Sequence, residues 1–415
     1  MAATFSPPAS ALEPQAQPRE LLAREPQAIA QQGGRLHSID FLRGLAAIAV
    51  LVGHMATWGD RLPAGLWGAL AQGALEIGAR GVPLFFVISG FCIHLSWARA
   101  TARDGSARLG FVAFWKRRFR RLYPPYFVML CLSMSFLAVA MLLHREVPAL
   151  LAYPQPRARW MAWDFAAHVF MLHGLHPVFD KGGGNAVFWT LAREEYFYLL
   201  YFPLLALRGR VGLWPALGLL AALSFAFPLL FLPLAPDREW RNLIYSSAPT
   251  LWIQWALGMA AVEAYFGLVK LPPLARALWP APLLFALGLW AHGHALLLEP
   301  IAFGLAFFLL VNWCVACEKQ QSWNVRPGLA RAAIDWLTAT GVFSYSIYLT
   351  HQLSRSVLKQ ALGPLGRAHS PILYFAVAVA LGVAAYFLAL AFFRVVERRF
   401  LNAPGRLPAS MPAST

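Results

Sequence analysis

Apolar runs about as long as a bilayer is thick recur along this chain, and they constrain its fold more than any other feature. A hydrocarbon core of roughly 30 Å is crossed by about 20 apolar residues in helical conformation. Of the 415 residues, 59% are hydrophobic and 13% are charged, against roughly 25% charged in an average soluble domain. The sequence therefore predicts an all-α, polytopic integral membrane protein with about ten transmembrane helices. The runs cover residues 39–58, 82–98, 124–143, 187–207, 211–233, 249–268, 279–298, 300–317, 336–355 and 371–393.

One further segment, AWDFAAHVFMLHGLHP at residues 162–177, is apolar but short and rich in histidine. Its length is below what a spanning helix needs. The sequence leaves open whether it spans the membrane, re-enters it or lies at the interface.

The chain ends differ in composition from the membrane region between them. Residues 1–34 are rich in Pro, Ala, Gln and Glu and contain no apolar run of the kind that a signal peptide needs. They are predicted to be a disordered cytoplasmic tail. The membrane domain is expected at 35–400, and 401–415 is expected to be a second short cytoplasmic tail.

Basic residues lie mainly between the apolar runs. The formal net charge is +16, but this distribution is typical of orientation signals, so nucleic acid is not expected as a partner. The connection at 99–121 holds eight Lys and Arg residues and one Asp, which predicts that it faces the cytoplasm. Ten spans with both termini cytoplasmic agree with the other clusters, in a multi-pass protein of the inner cell membrane. Four arginines run against the rule in predicted outer loops, namely Arg157, Arg159, Arg238 and Arg241.

The four cysteines do not form the pattern of a disulfide framework or a metal centre. Cys314 and Cys317 have the spacing of a metal-binding pair, but no second Cys or His pair accompanies them. Neither a metal site nor a disulfide is expected.

The first apolar run, IDFLRGLAAIAVLVGHM, contains an arginine and a histidine. Arg43 and His54 are eleven residues apart, which places them on one helix face and about 16 Å apart along the axis. Polar groups are costly in hydrocarbon, so two on one stripe indicate a polar cavity. The alternative is a snorkelling arginine with an interior histidine that forms ordinary hydrogen bonds.

Other polar side chains occur in later apolar runs. Each is a weak signal by itself, because Ser and Thr commonly hydrogen-bond between membrane helices and aromatic residues commonly pack. They are Ser89, Gly90 and His94 in the second run, Glu194 and Glu195 in the fourth, and Ser344, Tyr345, Ser346, Tyr348 and His351 in the ninth.

Five segments together resemble the acyltransferase-3 family of membrane acyltransferases. They are RLHSIDFLRGLAAIAVLVGH, FFVISGF, KRRFRRLYP, FWTLAREEYFYLL and FSYSIYLTHQ, and they occur in the order found in that family. Departures are modest: Ile39, Asp40 and Phe41 replace the usual Leu-Asp-Gly. No appended hydrolase-like domain is expected.

The resemblance implies a fold of about ten helices and transfer of an acyl group from cytoplasmic acyl-CoA. The donor is expected to be acetyl-CoA, a co-substrate rather than a bound cofactor. The acceptor is expected to be a hydroxyl of a carbohydrate or lipid-linked sugar at the membrane or beyond it.

His54 matches the general base of the family, and Glu194 and Arg43 match further catalytic positions. Arg118 and Arg121 match its cytoplasmic Arg-x-x-Arg pair, expected to bind the donor. Acceptor-binding or supporting positions are expected at His351, Ser346, Tyr348, Ser89 and Asp40.

Acyl transfer to a hydroxyl needs a base on the acceptor, an oriented thioester and stabilisation of the developing oxyanion. Neutral His54 suits the first task near pH 7, and Glu194 is a candidate to orient it as the third member of a triad does. A direct single displacement is favoured over an acyl-enzyme, because Ser89 and Ser346 have no base at a fixed local spacing. The alternative class is a transporter that moves a small acylated molecule without catalysis, and a purely structural or sensory protein is a third reading.

Overall fold

The computed structural model describes residues 36–59, 62–145, 147–320, 327–361 and 370–401. Both predicted tails therefore lie outside the described residues, apart from Leu401. Over the described ranges the chain forms sixteen α-helices joined by loops and short 3-10 turns, without a strand, which confirms the all-α prediction. The helices are α1 (His37–Ala56), α2 (Leu66–Ala79), α3 (Gly81–Asp104), α4 (Phe111–Leu142), α5 (Pro148–Leu151), α6 (Arg157–Val169), α7 (Pro177–Asp180), α8 (Trp189–Val211), α9 (Leu213–Phe231), α10 (Arg238–Tyr245), α11 (Ala248–Tyr265), α12 (Pro280–His294), α13 (Glu299–Lys319), α14 (Leu329–Gly341), α15 (Ser344–Ala361) and α16 (Pro371–Val395).

Six helical stretches of the described chain are long and apolar enough to cross a bilayer. Helices also occupy the other predicted runs, at α8, α11, α12 and α15, but they are shorter or more polar. The number ten and the cytoplasmic position of both termini remain predictions. The six stretches are His37–Ala56, Leu66–Asp104, Phe111–Leu142, Leu213–Leu234, Glu299–Lys319 and Pro371–Val395.

Three local features differ from, or add to, the sequence prediction. The run 336–355 is interrupted, since α14 ends at Gly341 and α15 begins at Ser344. Helix α2 was not predicted. Within 162–177 the structure has the end of α6, a helix of 13 residues, followed by a 3-10 turn at His173–Leu175. At 1.5 Å per residue α6 is about 20 Å long, which is too short to cross a bilayer.

Helix α1 lies at the centre of the helix bundle and packs against α2, α3, α13, α14, α15 and α16. Its contact with α14 is made backbone to backbone. A Cβ atom at Gly44 would lie 1.9 Å from the Leu337 carbonyl oxygen, and one at Gly341 would lie 1.8 Å from the Asp40 carbonyl oxygen. Small residues permit such close approach in membrane proteins, and here they bring the start of α15 next to α1.

Helices α3 and α11 meet in the same way. A Cβ atom at Gly90 would lie 1.8 Å from the Trp255 carbonyl oxygen, and one at Gly258 would lie 2.0 Å from the Val87 carbonyl oxygen. Beside this contact the Trp255 indole Nε1 donates a hydrogen bond to Ser89 Oγ at 3.3 Å. The close approach fixes which face of α3 is left to meet α8.

A buried charged cluster joins α3, α8 and α11. Glu263 accepts hydrogen bonds from Arg208 at 3.1 Å and 2.7 Å and lies 3.0 Å from Nε2 of His94. Nδ1 of His94 is 2.9 Å from the Tyr201 hydroxyl. A buried carboxylate is tolerated only with such partners, so this cluster holds the three helices in one arrangement.

Arg193 organises the loops at the opposite end of α8. Its side chain is fully buried and donates to Asp180 Oδ1 at 2.5 Å, to the Gly174 carbonyl oxygen at 3.2 Å and to the Ser246 carbonyl oxygen at 2.6 Å. One guanidinium thus ties α8 to α7, to the turn before it and to the end of α10. These loops form the wall of the larger cavity described below.

Candidate active site

A small cavity lies among α1, α3, α4, α8 and the start of α15. Its volume is about 110 Å³. The polar residues that line it come from six different parts of the chain, so it exists only in the folded protein. They are Arg43, Ser89, Arg118, Arg121, Thr190, Glu194, Tyr198, Ser344, Tyr345, Tyr348 and Glu397. We call it the inner cavity, because two of its arginines belong to the cluster predicted to face the cytoplasm.

Three arginines and two glutamates of the inner cavity face one another. Arg43 interacts electrostatically with Glu194, and its Nη1 is 4.0 Å from Asp40 Oδ1. The Tyr198 hydroxyl donates to Glu194 Oε2 at 3.2 Å, and the Ser89 hydroxyl lies close enough to stabilise the same carboxylate. Three guanidinium groups around one small cavity make it suited to an anionic ligand.

Glu397 is a member of this cavity that the sequence analysis missed. It begins the 3-10 turn Glu397–Phe400 after α16, is 4% exposed and accepts a hydrogen bond from Ser346 Oγ. Burial raises the pKa of the Glu397 carboxyl above its ordinary value, while the Ser346 hydrogen bond and the positive charge of Arg121 act in the opposite direction. In the sequence this acid stands before two arginines, just after the last apolar run, and nothing in its local context sets it apart.

A larger cavity of about 650 Å³ lies on the other side of the same helices. We call it the outer cavity. His54 of α1 lines it, together with residues from α2–α3, from the loops that Arg193 holds, and from α10–α13. Its polar and aromatic lining residues are His54, Arg80, Phe86, Lys181, Trp189, Asn242, Tyr245, Ser246, Gln254, His292, Glu299 and Tyr348.

The hydrogen bonds of His54 determine which ring nitrogen is free. Nδ1 lies 2.9 Å from the Val50 carbonyl oxygen, and a carbonyl only accepts, so Nδ1 carries the proton in the neutral ring. Nε2 then has a free lone pair. His351 has the same arrangement, with Nδ1 3.0 Å from the Ile347 carbonyl oxygen, and the two rings meet edge to face with centroids 4.9 Å apart. Of these two histidines, His54 lines the outer cavity, whereas His351 is 1% exposed and lies behind it.

The two cavities meet at a shared wall. Val82, Phe86 and Tyr348 line both of them. The Tyr348 hydroxyl lies 2.7 Å from Thr190 Oγ1, which faces the inner cavity. Tyr348 is therefore the polar side chain between the cluster of arginines and His54.

The predicted site residues fall into three groups. Arg43, Ser89, Arg118, Arg121 and Glu194 line the inner cavity, His54 lines the outer one, and Tyr348 lines both. Asp40, Ser346 and His351 are buried, and they contact Arg43, Glu397 and His54 respectively. The structure does not bring Glu194 to His54, since the two line different cavities and Glu194 lies with Arg43 and Tyr198. Arg43 also faces a cavity, rather than snorkelling to the surface.

Comparison with known proteins finds a protein family whose sequence model matches almost all of the membrane region of this chain. The model of an acyltransferase domain, that of the acyltransferase-3 family, matches residues 36–394. The chain belongs to this family. It is a membrane protein and an enzyme that transfers acyl groups other than aminoacyl groups, which favours catalysis over the transporter considered above.

Two kinds of curated relative are similar to the chain. Nodulation protein 10 of Rhizobium leguminosarum bv. viciae is 26% identical over 340 residues, which cover 77% of this chain and 83% of that protein. O-acetyltransferase OatA of Staphylococcus aureus is 29% identical over 177 residues, 41% of this chain and 24% of that protein. Peptidoglycan O-acetyltransferase OatA of Listeria monocytogenes is 30% identical over 174 residues, 40% of this chain and 23% of that protein. No solved structure matches the chain.

Proposed function

We propose that the protein transfers an acetyl group from cytoplasmic acetyl-CoA to a hydroxyl of a carbohydrate or lipid-linked sugar at the outer side of the inner membrane. The single observation that carries this proposal is the pair of cavities that meet at Tyr348, one lined by arginines and the other by His54. Relatives named as O-acetyltransferases support acetyl as the transferred group.

Coenzyme A carries phosphates, and arginine binds phosphate through two parallel hydrogen bonds. In the proposal Arg118 and Arg121 bind these phosphates. The inner cavity, at about 110 Å³, is smaller than a typical ligand pocket of roughly 300–1,000 Å³. In the proposal the thioester end of the donor therefore enters it, toward Tyr348, while the phosphates stay at the cytoplasmic mouth of the cavity, on Arg118 and Arg121.

In the transfer step the free Nε2 of His54 takes the proton of the acceptor hydroxyl. The hydroxyl oxygen bonds to the thioester carbonyl carbon, the carbon–sulfur bond breaks, and coenzyme A leaves as a thiolate. The proton that His54 took passes to this thiolate, which gives the thiol and returns His54 to its neutral form. In the proposal the Tyr348 hydroxyl, which donates to the Val187 carbonyl oxygen at 3.2 Å in this structure, turns to the thioester carbonyl oxygen as negative charge develops there. Glu194 acts on the donor side in this mechanism, by holding Arg43, instead of orienting His54.

The donor half of the proposal can be tested on α4 itself. Replacing Arg118 and Arg121 with Ala should raise the KM for acetyl-CoA by about tenfold or more, since each charged hydrogen bond contributes roughly 1.5–3 kcal/mol, with a smaller effect on kcat. Replacing both with Lys should restore only part of the affinity. Arg117 and Arg120 are exposed and do not line the cavity, so their double Ala variant is the matched control. Equal donor KM values for the two double Ala variants would show that the pair is only a topology signal.

A further inference from the structure

We propose that the outer cavity is the acceptor-binding site and that it selects a negatively charged sugar unit. This inference rests on the proposed function, because it names the substrate class and the binding residues for the acceptor of that reaction. Three observations support it: a polar wall, aromatic faces and an excess of positive charge.

The first observation is that the wall beside His54 is polar. Gln254, whose Nε2 donates to the Pro300 carbonyl oxygen at 3.1 Å, lines it together with Arg80. A few hydrogen-bonding groups on a cavity wall orient a polar ligand, so this wall suits a ligand that bears hydroxyl groups.

The second observation concerns size and aromatic content. A volume of about 650 Å³ is in the usual range of ligand pockets, roughly 300–1,000 Å³. Trp189 and Tyr245 line the wall together with Asn242 and Ser246. A sugar ring has apolar C–H faces and a polar rim, and this lining offers aromatic surface to the faces and hydrogen-bonding groups to the rim.

The third observation is the charge. Glu299 forms an ion pair with Arg80 at 2.5 Å and lies 3.0 Å from Nδ1 of His292. It is therefore compensated. Lys181 also lines the cavity, is exposed, and has no acidic partner among the described residues. The cavity thus has one positive charge in excess.

The geometry also connects the site to the chemistry. His54 and Tyr348 line the same cavity as Gln254 and Lys181. A sugar whose charged group contacts Lys181 and whose ring packs on Trp189 can present a hydroxyl to Nε2 of His54. Lys181 then acts as a specificity residue, since it contacts the acceptor but no reacting atom.

The experiment is to measure the binding of two probes to the detergent-purified full chain by titration NMR. The probes are methyl β-glucopyranoside and the corresponding methyl glucuronide, which differ in a carboxylate. The glucuronide should bind about tenfold more tightly, the value of one charged hydrogen bond. Lys181→Ala should remove this preference, Lys181→Glu should reverse it, and Gln254→Leu should weaken the binding of both probes. Arg159→Ala, an exposed outer arginine outside the cavity, is the matched control and should bind as the unmodified protein does.

Several outcomes would overturn the inference. The first is that neither probe binds, either at 100-fold excess over protein or at near-molar concentration. The second is equal affinity for the two probes. The third is a Lys181→Ala variant that keeps the preference for the glucuronide. Acetyl-CoA binding is measured on the same samples. If acetyl-CoA binding depends on Arg118 and Arg121 but neither sugar probe binds, only the acceptor-site inference is overturned. If acetyl-CoA binding does not depend on these two arginines, the result counts against the proposed function.

Discussion

At the scale of single residues, the site is a set of buried polar groups whose partners determine what each can do. His54 and His351 are alike in their Nδ1 hydrogen bonds and differ in exposure to the outer cavity. This difference is why the proposed mechanism gives proton removal to His54. The proposal gives a positioning role to His351, whose ring packs against that of His54.

We expect His54→Ala and His54→Gln to lower kcat by about 10²- to 10⁴-fold, the range for loss of a general base. The protein should remain monodisperse in detergent, because Ala suits a membrane helix at least as well as His. His351→Ala should reduce activity less and should shift the dependence on acceptor concentration. Acetyl transfer by purified variants gives the answer, and near-normal transfer by a well-folded His54→Ala protein would rule out this histidine as the base.

Arg43 provides a second comparison at this scale. It faces the donor side beside Glu194, so Arg43→Ala should lose activity through poor donor positioning. High acetyl-CoA concentration should then partly restore transfer by Arg43→Ala, while His54→Ala stays inactive under the same conditions. Failure of donor concentration to distinguish the two variants would contradict the division of the site into two cavities.

Glu397 gives a prediction that the structure alone suggested. Its carboxylate attracts Arg121 and accepts from Ser346. We expect Glu397→Gln to leave Arg121 less well oriented and to raise the KM for acetyl-CoA severalfold, with a smaller change in kcat. Arg398→Gln is the control, since Arg398 is in the same turn but exposed. A lower KM in Glu397→Gln would show instead that this acid only repels the anionic donor.

At the scale of helices, close backbone contacts position the site. The Gly44–Gly341 contact sets α1 against α14 and thereby places α15, which carries Tyr348 and His351, against α1. The break between α14 and α15 belongs to the same arrangement. A continuous helix over 336–355, as the apolar pattern indicated, would not make this turn.

Gly341→Ala should destabilise the protein, because the added Cβ would lie 1.8 Å from a backbone oxygen that cannot rotate away. Overpacking of this kind costs about 1–3 kcal/mol or more. Gly218→Ala in α9 is the control, since nothing lies within 4 Å of its added Cβ, and it should be neutral or slightly stabilising. Thermal unfolding in detergent measures both, and equal midpoints would contradict the close contact.

At the scale of the whole molecule, the two cavities are at opposite ends of the same helices, and the direction of the reaction depends on which end faces the cytoplasm. In a variant whose four native cysteines are replaced, single cysteines at 108 and 210 should react with impermeant thiol reagents only from the cytoplasm. A cysteine at 238 should react only from outside. Labelling of position 108 from the exterior would reverse the proposed orientation or change the number of spans.

The sequence by itself determined the all-α membrane architecture, the family and the positions of Arg43 and His54 on one face of α1. The architecture and the helix face follow from local rules, because apolar length and helical period act within one segment. The family, and with it the choice of Arg118 and Arg121 in α4 as donor-binding residues, came from the resemblance of five motifs to the acyltransferase-3 family.

Only the tertiary structure decided which side chains meet. It grouped Glu194 with Arg43 rather than His54, brought Glu397 from beyond the last long helix into the inner cavity, and placed Gln254 and Lys181 around His54. These residues are far apart in sequence and each has an ordinary local context. Their proximity depends on how helix faces pack, through contacts such as Gly44–Gly341, and helical period within one segment carries no information about its partner.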